Sequence, residues 1–257
     1  MIQVKEQKIF YETLFDHYPV FDLFLTYAFN HRDYDLYVDN LANPKTLILY
    51  VSPAFILLGE PLDSEKDSIK TLMGPGAWII SPNASWDHFL TKLYDEHLKT
   101  FPRIRFDDSK LSIEHLKSLR KPLPPELKIV PIEQKHLKEG MIKDQIINHF
   151  YQNIDFLEHG FGLALVNDKD VIHGFALTNY PVDDPEYIEV SYRVGYDDFP
   201  YYRQKGIGTT LVSCFIEECL NRGYHPVWDA ANDVSAHIAR KLGYQDVLKW
   251  NMYHITS

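Results

Sequence analysis

Residues 201–212 of this chain read YYRQKGIGTTLV, and they carry the most informative local pattern in the sequence. Two glycines, Gly206 and Gly208, follow directly after Arg203 and Lys205, and an apolar pattern with helical spacing continues from them. A helix that starts at flexible backbone beside two cations presents unpaired amides and the positive end of its dipole to an anion. The stretch therefore predicts a phosphate-binding site, and three kinds of site share this description.

Two common phosphate-binding motifs fit the stretch poorly. A P-loop needs four residues between its first glycine and a Gly-Lys-Ser/Thr unit, whereas Lys205 here precedes Gly206. A dinucleotide-binding turn fits better, because two glycines open the helix and Asp229 ends the next predicted strand. However, Leu211 stands where that motif has its third glycine, and a long loop separates the preceding strand from the glycines. A helix start without any ligand is a further alternative, which the two cations and the absence of an acid in RQKGIG disfavour.

The whole C-terminal half fits the third interpretation. Arg203-x-x-Gly206-x-Gly208 resembles the Arg/Gln-x-x-Gly-x-Gly/Ala motif of the GNAT acyltransferase superfamily, in which this loop and helix bind the pyrophosphate of an acyl-coenzyme A. The resemblance covers about Leu127–Ile255 and includes a second segment, PVWDAANDVSAHIARKLGY, at residues 226–244. In that segment Asn232, Ser235, Lys241, Gly243 and Tyr244 occupy the family's places, and the pattern Trp228, Asp229, Asn232, Ser235, Ala239 is similar to the zwittermicin-resistance-type branch.

The resemblance implies an α+β fold that binds acyl-coenzyme A, with a mixed, largely antiparallel and splayed sheet. The predicted element order agrees with it. A strand at Leu127–Pro131 leads into helical residues from Gln134 to Leu157, and a hairpin turns at residues 167–170. Next come the alternating strand EYIEVSYRV (186–194), the glycine helix and the strand HPVWDA (225–230). A helix capped by Asn232 follows, with Val234, Ile238 and Leu242 on its apolar face, and final strands end the order.

Prolines mark one boundary along the chain. Three of them lie in the stretch from Lys121 to Pro125, and proline has no amide hydrogen to donate. We therefore predict a separate N-terminal α+β domain over residues 1–121 and a GNAT acetyltransferase domain over residues 122–257. The first is either a degenerate relative of the same fold or an acceptor-recognition domain, and we expect it to bind no coenzyme. Its predicted elements are a helical stretch from Lys8 to Asn30, strands at Thr46–Val51, Ala54–Leu58 and Ala77–Ser81, a helix at Ser64–Leu72, and a helix capped by Ser85.

The resemblance also implies acetyl-coenzyme A as cosubstrate and no metal. The backbone of residues 192–194 is expected to pair with the pantetheine arm as an additional strand would, and the glycine loop to hold the pyrophosphate. The predicted coenzyme-binding residues are Tyr192, Arg193, Val194, Arg203, Gln204, Lys205, Gly206, Ile207, Gly208, Thr209, Asn232 and Ser235.

Glu189 is the candidate general base. The strand's alternation sends it to the same face as Ser191 and Arg193, beside the expected thioester. An attacking amine must be neutral, and a carboxylate can remove its proton directly or through water. Glu186 is the fallback, and a solvated strand carboxylate without a catalytic role is the alternative for Glu189. Many family members protonate the leaving thiolate with a tyrosine seven residues after the asparagine, but here that position is Ala239.

Two function classes follow. The first is an N-acyltransferase that acetylates a primary amine on a small molecule. The second, suggested by the missing tyrosine, is a non-catalytic acyl-coenzyme A sensor or interaction module. A usable base near the thioester distinguishes them, whereas coenzyme binding alone does not.

Composition and charge indicate which partners and which cellular compartment suit either function. The chain has 257 residues and a formal net charge of −10, which argues against general nucleic-acid binding because that requires a basic face. The N-terminus carries charges throughout, and Ser52-Pro53 interrupts the longest apolar stretch, so we predict neither a signal peptide nor a membrane span and expect a cytoplasmic protein. Cys214 and Cys219 are expected to be free thiols. The oligomeric state is not predicted.

Overall fold

The computed structural model describes residues 1–5, 22–31, 34–138, 140–146, 155–179, 187–195, 200–203 and 205–257. Its contacts divide the chain into two compact units. Unit 1 comprises Met1–Arg103 and Lys249–Ser257, and unit 2 comprises Ile104–Leu248. Residues 104–121 belong to unit 2 in this division, so the units differ from the predicted domains; two independently folding domains divided at residues 121 and 122 stay a prediction.

The regular elements follow one another as strands and helices along both units. The strands are β1 (Ile2–Val4), β2 (Asp35–Val38), β3 (Thr46–Val51), β4 (Ala54–Gly59), β5 (Trp78–Ile80), β6 (Leu98–Asp107), β7 (Leu127–Pro131), β8 (Gly162–Asn167), β9 (Ile172–Asn179), β10 (Tyr187–Val194), β11 (His225–Ala230) and β12 (Gln245–Ile255). The helices are α1 (Asp22–His31), α2 (Lys66–Leu72), α3 (Ala84–Tyr94), α4 (Ile113–Ser118), α5 (Met141–Gln145), α6 (Phe156–His159), α7 (Ile207–Asn221) and α8 (Asp233–Leu242).

Unit 1 is a mixed sheet in the order β1-β2-β3-β4-β5-β12. Strands β1 to β4 are antiparallel neighbours, β4 pairs with β5 in parallel, and residues 252–254 of β12 pair with β5 in antiparallel fashion. The predicted strands at Thr46–Val51 and Ala54–Leu58 are confirmed, with Ser52-Pro53 in the turn between them. The largest side chain of its core is Trp86 of α3, which packs with apolar residues of β3, β4 and β12, among them Ile48, Leu57 and Tyr253.

The strands of unit 2 are neighbours in the order β6-β11-β10-β9-β8-β7, with both parallel and antiparallel pairs. Strands β7 to β10 form an antiparallel meander, β10 pairs with β11 in parallel, and β11 pairs with residues 104–106 of β6 in antiparallel fashion. Helix α7 buries Leu211 and Phe215 in the core with Trp228 of β11. The predicted strand at Leu127–Pro131, the hairpin, the alternating strand, the glycine helix and the strand HPVWDA are confirmed.

Several local predictions are wrong in detail. Asn83, not Ser85, caps α3, because its side chain accepts a hydrogen bond from the amide of Trp86 at 3.1 Å. Val234 was predicted on the apolar face of α8 but is 69% exposed, whereas Ala236, Ala239 and Leu242 are buried. The predicted final strands are the single strand β12.

The two long predicted helical stretches are only partly described. Between Gln134 and Leu157 the structure has a 3-10 turn at Gln134–Leu137, then α5 and the start of α6, while residues 147–154 lie outside the described part. Of the stretch from Lys8 to Asn30, α1 begins at Asp22, and residues 6–21 also lie outside it. None of the described helices combines the length and the apolar composition that crossing a membrane requires.

Candidate functional site

Strand β10 leaves its parallel neighbour after its third residue. Its pairing with β11 covers Tyr187, Ile188 and Glu189 and ends at Glu189↔Val227. Its antiparallel pairing with β9 begins at Glu189 and continues to Val194. Residues 190–194 therefore follow β9 beyond the end of the β11 ladder, which is the splay that the resemblance predicted.

The glycine loop follows β10 and leads into α7. Gly206 is the residue before the helix and has φ +81°, a left-handed conformation that glycine adopts without the penalty of a Cβ. No side chain of the described residues caps this helix end, and its first turn has no acidic residue. Both Arg203 and Lys205 are exposed. Among the described residues, the amides at the start of α7 thus have exposed cations beside them and no side-chain acceptor, an arrangement that fits a bound anion.

A third cation lies at this loop, and sequence reasoning missed it. The backbone amide of Lys121 donates to Oγ1 of Thr210 at 3.0 Å, in the first turn of α7. A Cβ added to Gly206 would lie 2.9 Å from Cδ of Lys121. The lysine stem therefore covers Gly206, although in the sequence Lys121 lies only at a predicted domain boundary.

Four polar side chains form a row across β9, β10, β11 and β6 at the point where the splay begins. Asn179 is paired with Glu189, and Asp229 is paired with Arg105. Val227 is paired with Glu189, and residues two apart on a strand share a face, so Asp229 lies on the same face as Glu189. The row is thus Asn179, Glu189, Asp229 and Arg105, in the order of the strands.

The row is buried and its members interact. Glu189 is 7% exposed and Asn179 is 4% exposed. Nδ2 of Asn179 donates to Oε1 of Glu189 at 3.4 Å, and Nη1 of Arg105 lies 3.7 Å from Oε2 of Glu189 and 4.0 Å from Oδ2 of Asp229. Oδ1 of Asn179 and Nη1 of Arg105 have no hydrogen-bond partner among the described residues. A buried polar atom without a partner is costly, so this arrangement is typical of a place where a substrate or water binds.

The predicted coenzyme-binding residues of α8 have partners inside the protein. Oδ1 of Asn232 accepts from the amide of Ser235 at 2.9 Å and so caps the helix. Oγ of Ser235 accepts from Nε1 of Trp228 at 3.0 Å. Ala239, where many relatives have tyrosine, is fully buried. These contacts give Asn232 and Ser235 structural roles; their contact with a coenzyme stays a prediction.

The other predicted residues lie along β10 and the start of α7. Tyr192 packs against Trp228 with ring centroids 5.2 Å apart, and Arg193 is exposed at the end of the strand. Ile207, Gly208 and Thr209 are buried in the first turn of α7. Gln204 and the fallback base Glu186 lie outside the described residues.

Two cysteines lie on α7: Cys219 is buried in the core and Cys214 is half-buried. Both are free thiols, as predicted. Burial raises the pKa of the Cys214 thiol and raises that of Cys219 well above its ordinary value. A protonated thiol is a weak nucleophile, so we assign neither cysteine a catalytic role.

Sequence reasoning missed Arg105, Asn179 and Lys121, and it named Asp229 only in the dinucleotide alternative and in the branch pattern. Arg105 lies on β6, a strand that was not predicted because Pro102 interrupts its pattern. Asn179 ends a buried strand, and Asp229 ends the short strand HPVWDA. For these two residues, the signal available in the sequence was a polar residue near the end of an apolar strand.

A comparison with known protein families agrees with this geometry. The family model for GNAT acetyltransferase matches residues 23–253. The chain belongs to the GNAT acetyltransferase family. The match extends over both compact units, whereas the resemblance found in the sequence began only at about Leu127.

Individual relatives of this GNAT chain agree with the assignment. A Bacillus subtilis (strain 168) protein named as the uncharacterised N-acetyltransferase YdfB is 26% identical over 183 residues. That similarity covers 68% of this chain and 65% of the length of the relative, so the chain matches less than two thirds of it.

Solved structures show the GNAT fold. A GCN5-related N-acetyltransferase-like protein from Streptococcus suis 89/1591 has a TM-score of 0.76 and 22% identity, with 96% of this chain and 97% of that chain covered. A tandem GNAT protein from the clavulanic acid biosynthesis pathway has a TM-score of 0.55 and 10% identity, with 86% and 82% covered. The predicted α+β GNAT fold with its mixed sheet is therefore confirmed.

Proposed function

We propose that this chain is an N-acyltransferase that moves an acetyl group from acetyl-coenzyme A to a primary amine of a small molecule. The observation that carries the proposal is the position of Glu189, at the residue where β10 leaves β11. A carboxylate there lies beside the opening of the splay and inside a buried polar row. A general base must be within reach of the reacting nitrogen, and this position meets that requirement if the thioester enters the splay.

The glycine loop and β10 would hold the coenzyme. The uncapped start of α7, with Arg203 and Lys205 beside it, suits the pyrophosphate. The backbone of residues 192–194, beyond the β11 ladder, suits the amides of the pantetheine arm. When bound, acetyl-coenzyme A supplies an acyl carbon activated as a thioester. No metal ligand is part of this proposal.

Glu189 would accept the proton that the attacking amine loses. Asn179 donates a hydrogen bond to Oε1, and the guanidinium of Arg105 lies near Oε2, so both oxygens are oriented from neighbouring strands. Oδ1 of Asn179 remains available among the described residues to accept an N–H of the amine. The nitrogen forms the new amide bond as the carbon–sulfur bond breaks, and the thiolate departs with the coenzyme.

Protonation of the departing thiolate has no assigned residue. Ala239 replaces the tyrosine used by many relatives and is buried in the core, so it supplies no proton. A thiol has a modest pKa, and its thiolate can leave and take a proton from water. Because Ala239 cannot act as the acid that many relatives use, a non-catalytic acyl-coenzyme A sensor is the second candidate function.

The test is a screen of primary amines for release of free thiol from acetyl-coenzyme A, followed by Glu189→Gln with the amine that reacts. Glutamine keeps the size and reach of the side chain but is not a base, so turnover is expected to fall by about 10²–10⁴-fold. Coenzyme affinity should persist. Glu114→Gln removes the same charge from the exposed start of α4 and is the matched control.

Two results would contradict the proposal. Full turnover and an unchanged acidic limb of the pH–rate profile in Glu189→Gln would mean that the base lies elsewhere. Coenzyme binding by the wild type without thiol release for any amine would favour the sensor.

A further inference from the structure

Two adjacent cations in the segment between α4 and β7 have different surroundings. Arg120 is held by α7: its Nε and Nη2 donate to Oγ and O of Ser213 at 3.3 and 3.2 Å, and Nη2 also forms an ion pair with Glu217. Lys121 is exposed and forms no ion pair with any described residue. The charge of Arg120 therefore anchors the segment to α7, whereas that of Lys121 pairs with no acidic group in the described part of the chain.

The backbone of Lys121 is fixed to the first turn of α7. Its amide donates to Oγ1 of Thr210 at 3.0 Å, and that hydroxyl lies 3.4 Å from the carbonyl oxygen of Lys121, to which it can donate. Thr210 is buried, and its own amide donates to O of Gly206 at 2.9 Å. The segment and the glycine loop are thus joined by hydrogen bonds through one threonine.

The side chain of Lys121 extends over the glycine. From the position that a Cβ on Gly206 would take, its Cγ, Cδ and Cε lie 3.5, 2.9 and 3.4 Å away. The ammonium is one bond beyond Cε, so it lies near Gly206, the residue that precedes α7. A glycine at position 206 is what leaves room for this stem.

We propose that Lys121 is a coenzyme-binding residue whose ammonium contacts the pyrophosphate of the coenzyme together with the glycine loop. The proposal rests on the proposed function, because it requires the coenzyme to bind at this loop. Three features support it: the first turn of α7 has no acid, no described side chain caps its amides, and the backbone of Lys121 is hydrogen-bonded to Thr210. A cation on ordered backbone loses less conformational entropy when it meets its ligand.

The experiment is calorimetric titration of the full chain with coenzyme A and with 3′-dephospho-coenzyme A. Lys121→Met keeps most of the stem over Gly206 and removes the charge, and Lys121→Arg restores the charge. Lys110→Met is the matched control, since Lys110 is also exposed but contacts Gln245. Lys110 lies away from the glycine loop. It is two residues after Asp108, which pairs with His225 at the start of β11, and the start of β11 lies beside the start of β10, whereas the glycine loop follows the end of β10.

We expect Lys121→Met to weaken the binding of both ligands by about tenfold, which corresponds to about 1.4 kcal/mol. Lys121→Arg should recover most of the loss, and Lys110→Met should bind as the wild type does. Raising the salt concentration should narrow the difference between Lys121→Met and the wild type.

Three results would overturn the proposal, and each is distinguishable from the others. Equal affinities in Lys121→Met and Lys110→Met would show that Lys121 makes no contact. A loss with coenzyme A but not with the dephospho form would assign the lysine to the 3′-phosphate instead. A wild-type chain that binds neither ligand would refute the proposed function itself.

Discussion

Units 1 and 2 each build a splayed pair of parallel strands, and the two pairs have the same extent. In unit 1, β4 pairs with β5 over residues 54–56 and with β3 as far as Gly59. In unit 2, β10 pairs with β11 over residues 187–189 and with β9 as far as Val194. A helix follows the first parallel strand in each unit, and another helix follows the second.

The chemistry at the splay differs between the units. The third residue of β10 is Glu189, paired with Asn179, whereas the third residue of β4 is Ile56, paired with Leu49. Ile56 is 1% exposed and belongs to an apolar core. Unit 1 therefore has the splay without the carboxylate.

The connection from strand to helix differs as well. In unit 1, Asp63 and Glu65 precede α2, and Asp67 lies in its first turn. Glu65 forms an ion pair with the amino group of Met1 at 2.8 Å. In unit 2, Gly206 precedes α7, and the residues near it are the cations Lys121, Arg203 and Lys205. An acidic connection repels a phosphate and a cationic one attracts it. The same strand geometry therefore does not imply the same ligand. That the N-terminal half is a degenerate relative of the same fold, or an acceptor-recognition domain, stays a prediction.

The largest effect is expected from Gly206→Glu, which gives the start of α7 an acidic residue like those at the start of α2. In Gly206→Glu the side chain meets the stem of Lys121 and brings a negative charge to the proposed pyrophosphate site, so calorimetry should detect no binding of coenzyme A. Gly223→Glu is the matched control at the other end of α7, because Gly223 has φ +84° and open space around its Cβ position. Both variants carry the strain of a left-handed residue, about 1 kcal/mol in the free energy of unfolding. Unchanged affinity in Gly206→Glu would refute the loop as the coenzyme site.

A smaller effect is expected at Arg203, the exposed cation before the loop. Arg203→Ala removes one charge-assisted contact, which is worth about 1.5–3 kcal/mol, and should weaken coenzyme A binding by about 10- to 150-fold. Calorimetry at two salt concentrations measures the loss, which should shrink at the higher one. Arg203→Lys keeps the charge and should lose less affinity; equal losses in both variants would show that charge is not the cause.

The smallest effect is expected in unit 1. Asp63→Asn with Glu65→Gln removes two acidic groups from the start of α2, but it supplies neither a glycine loop nor a cation. The affinity for coenzyme A should stay within about twofold of the wild type, since a surface charge change of this kind contributes little. Calorimetric titration should give one coenzyme per chain in both forms. A stoichiometry of two would reveal a second site in unit 1.

Elements with strong local patterns were predicted well. The alternation of EYIEVSYRV, the glycine before α7, the cap at Asn232 and the hairpin turn each depend on residues adjacent in the chain, and the structure has all four. Failures occurred where two local signals competed. Asn83 and Ser85 are both good caps, and the structure uses the first.

Strand β6 was missed because its role is not local. It contains Pro102 and alternates weakly, and its residues 104–106 pair with β11, which lies more than 100 residues further along the chain. Val234 fits the helical period of α8, yet its exposure depends on what packs against that face. Such outcomes follow from partners far away in the sequence, which a local pattern does not contain.

The sequence by itself determined the glycine that precedes α7, the face of Glu189 on its strand and the motifs that resemble the GNAT superfamily, because each depends on nearby residues and fixed backbone periods. Only the tertiary structure decided what surrounds them. Arg105 reaches Glu189 from another strand, and Lys121 reaches the loop although it is 89 residues from Thr210 along the chain. Strand pairing and helix packing create these contacts, since side chains distant in sequence become neighbours only when the core assembles.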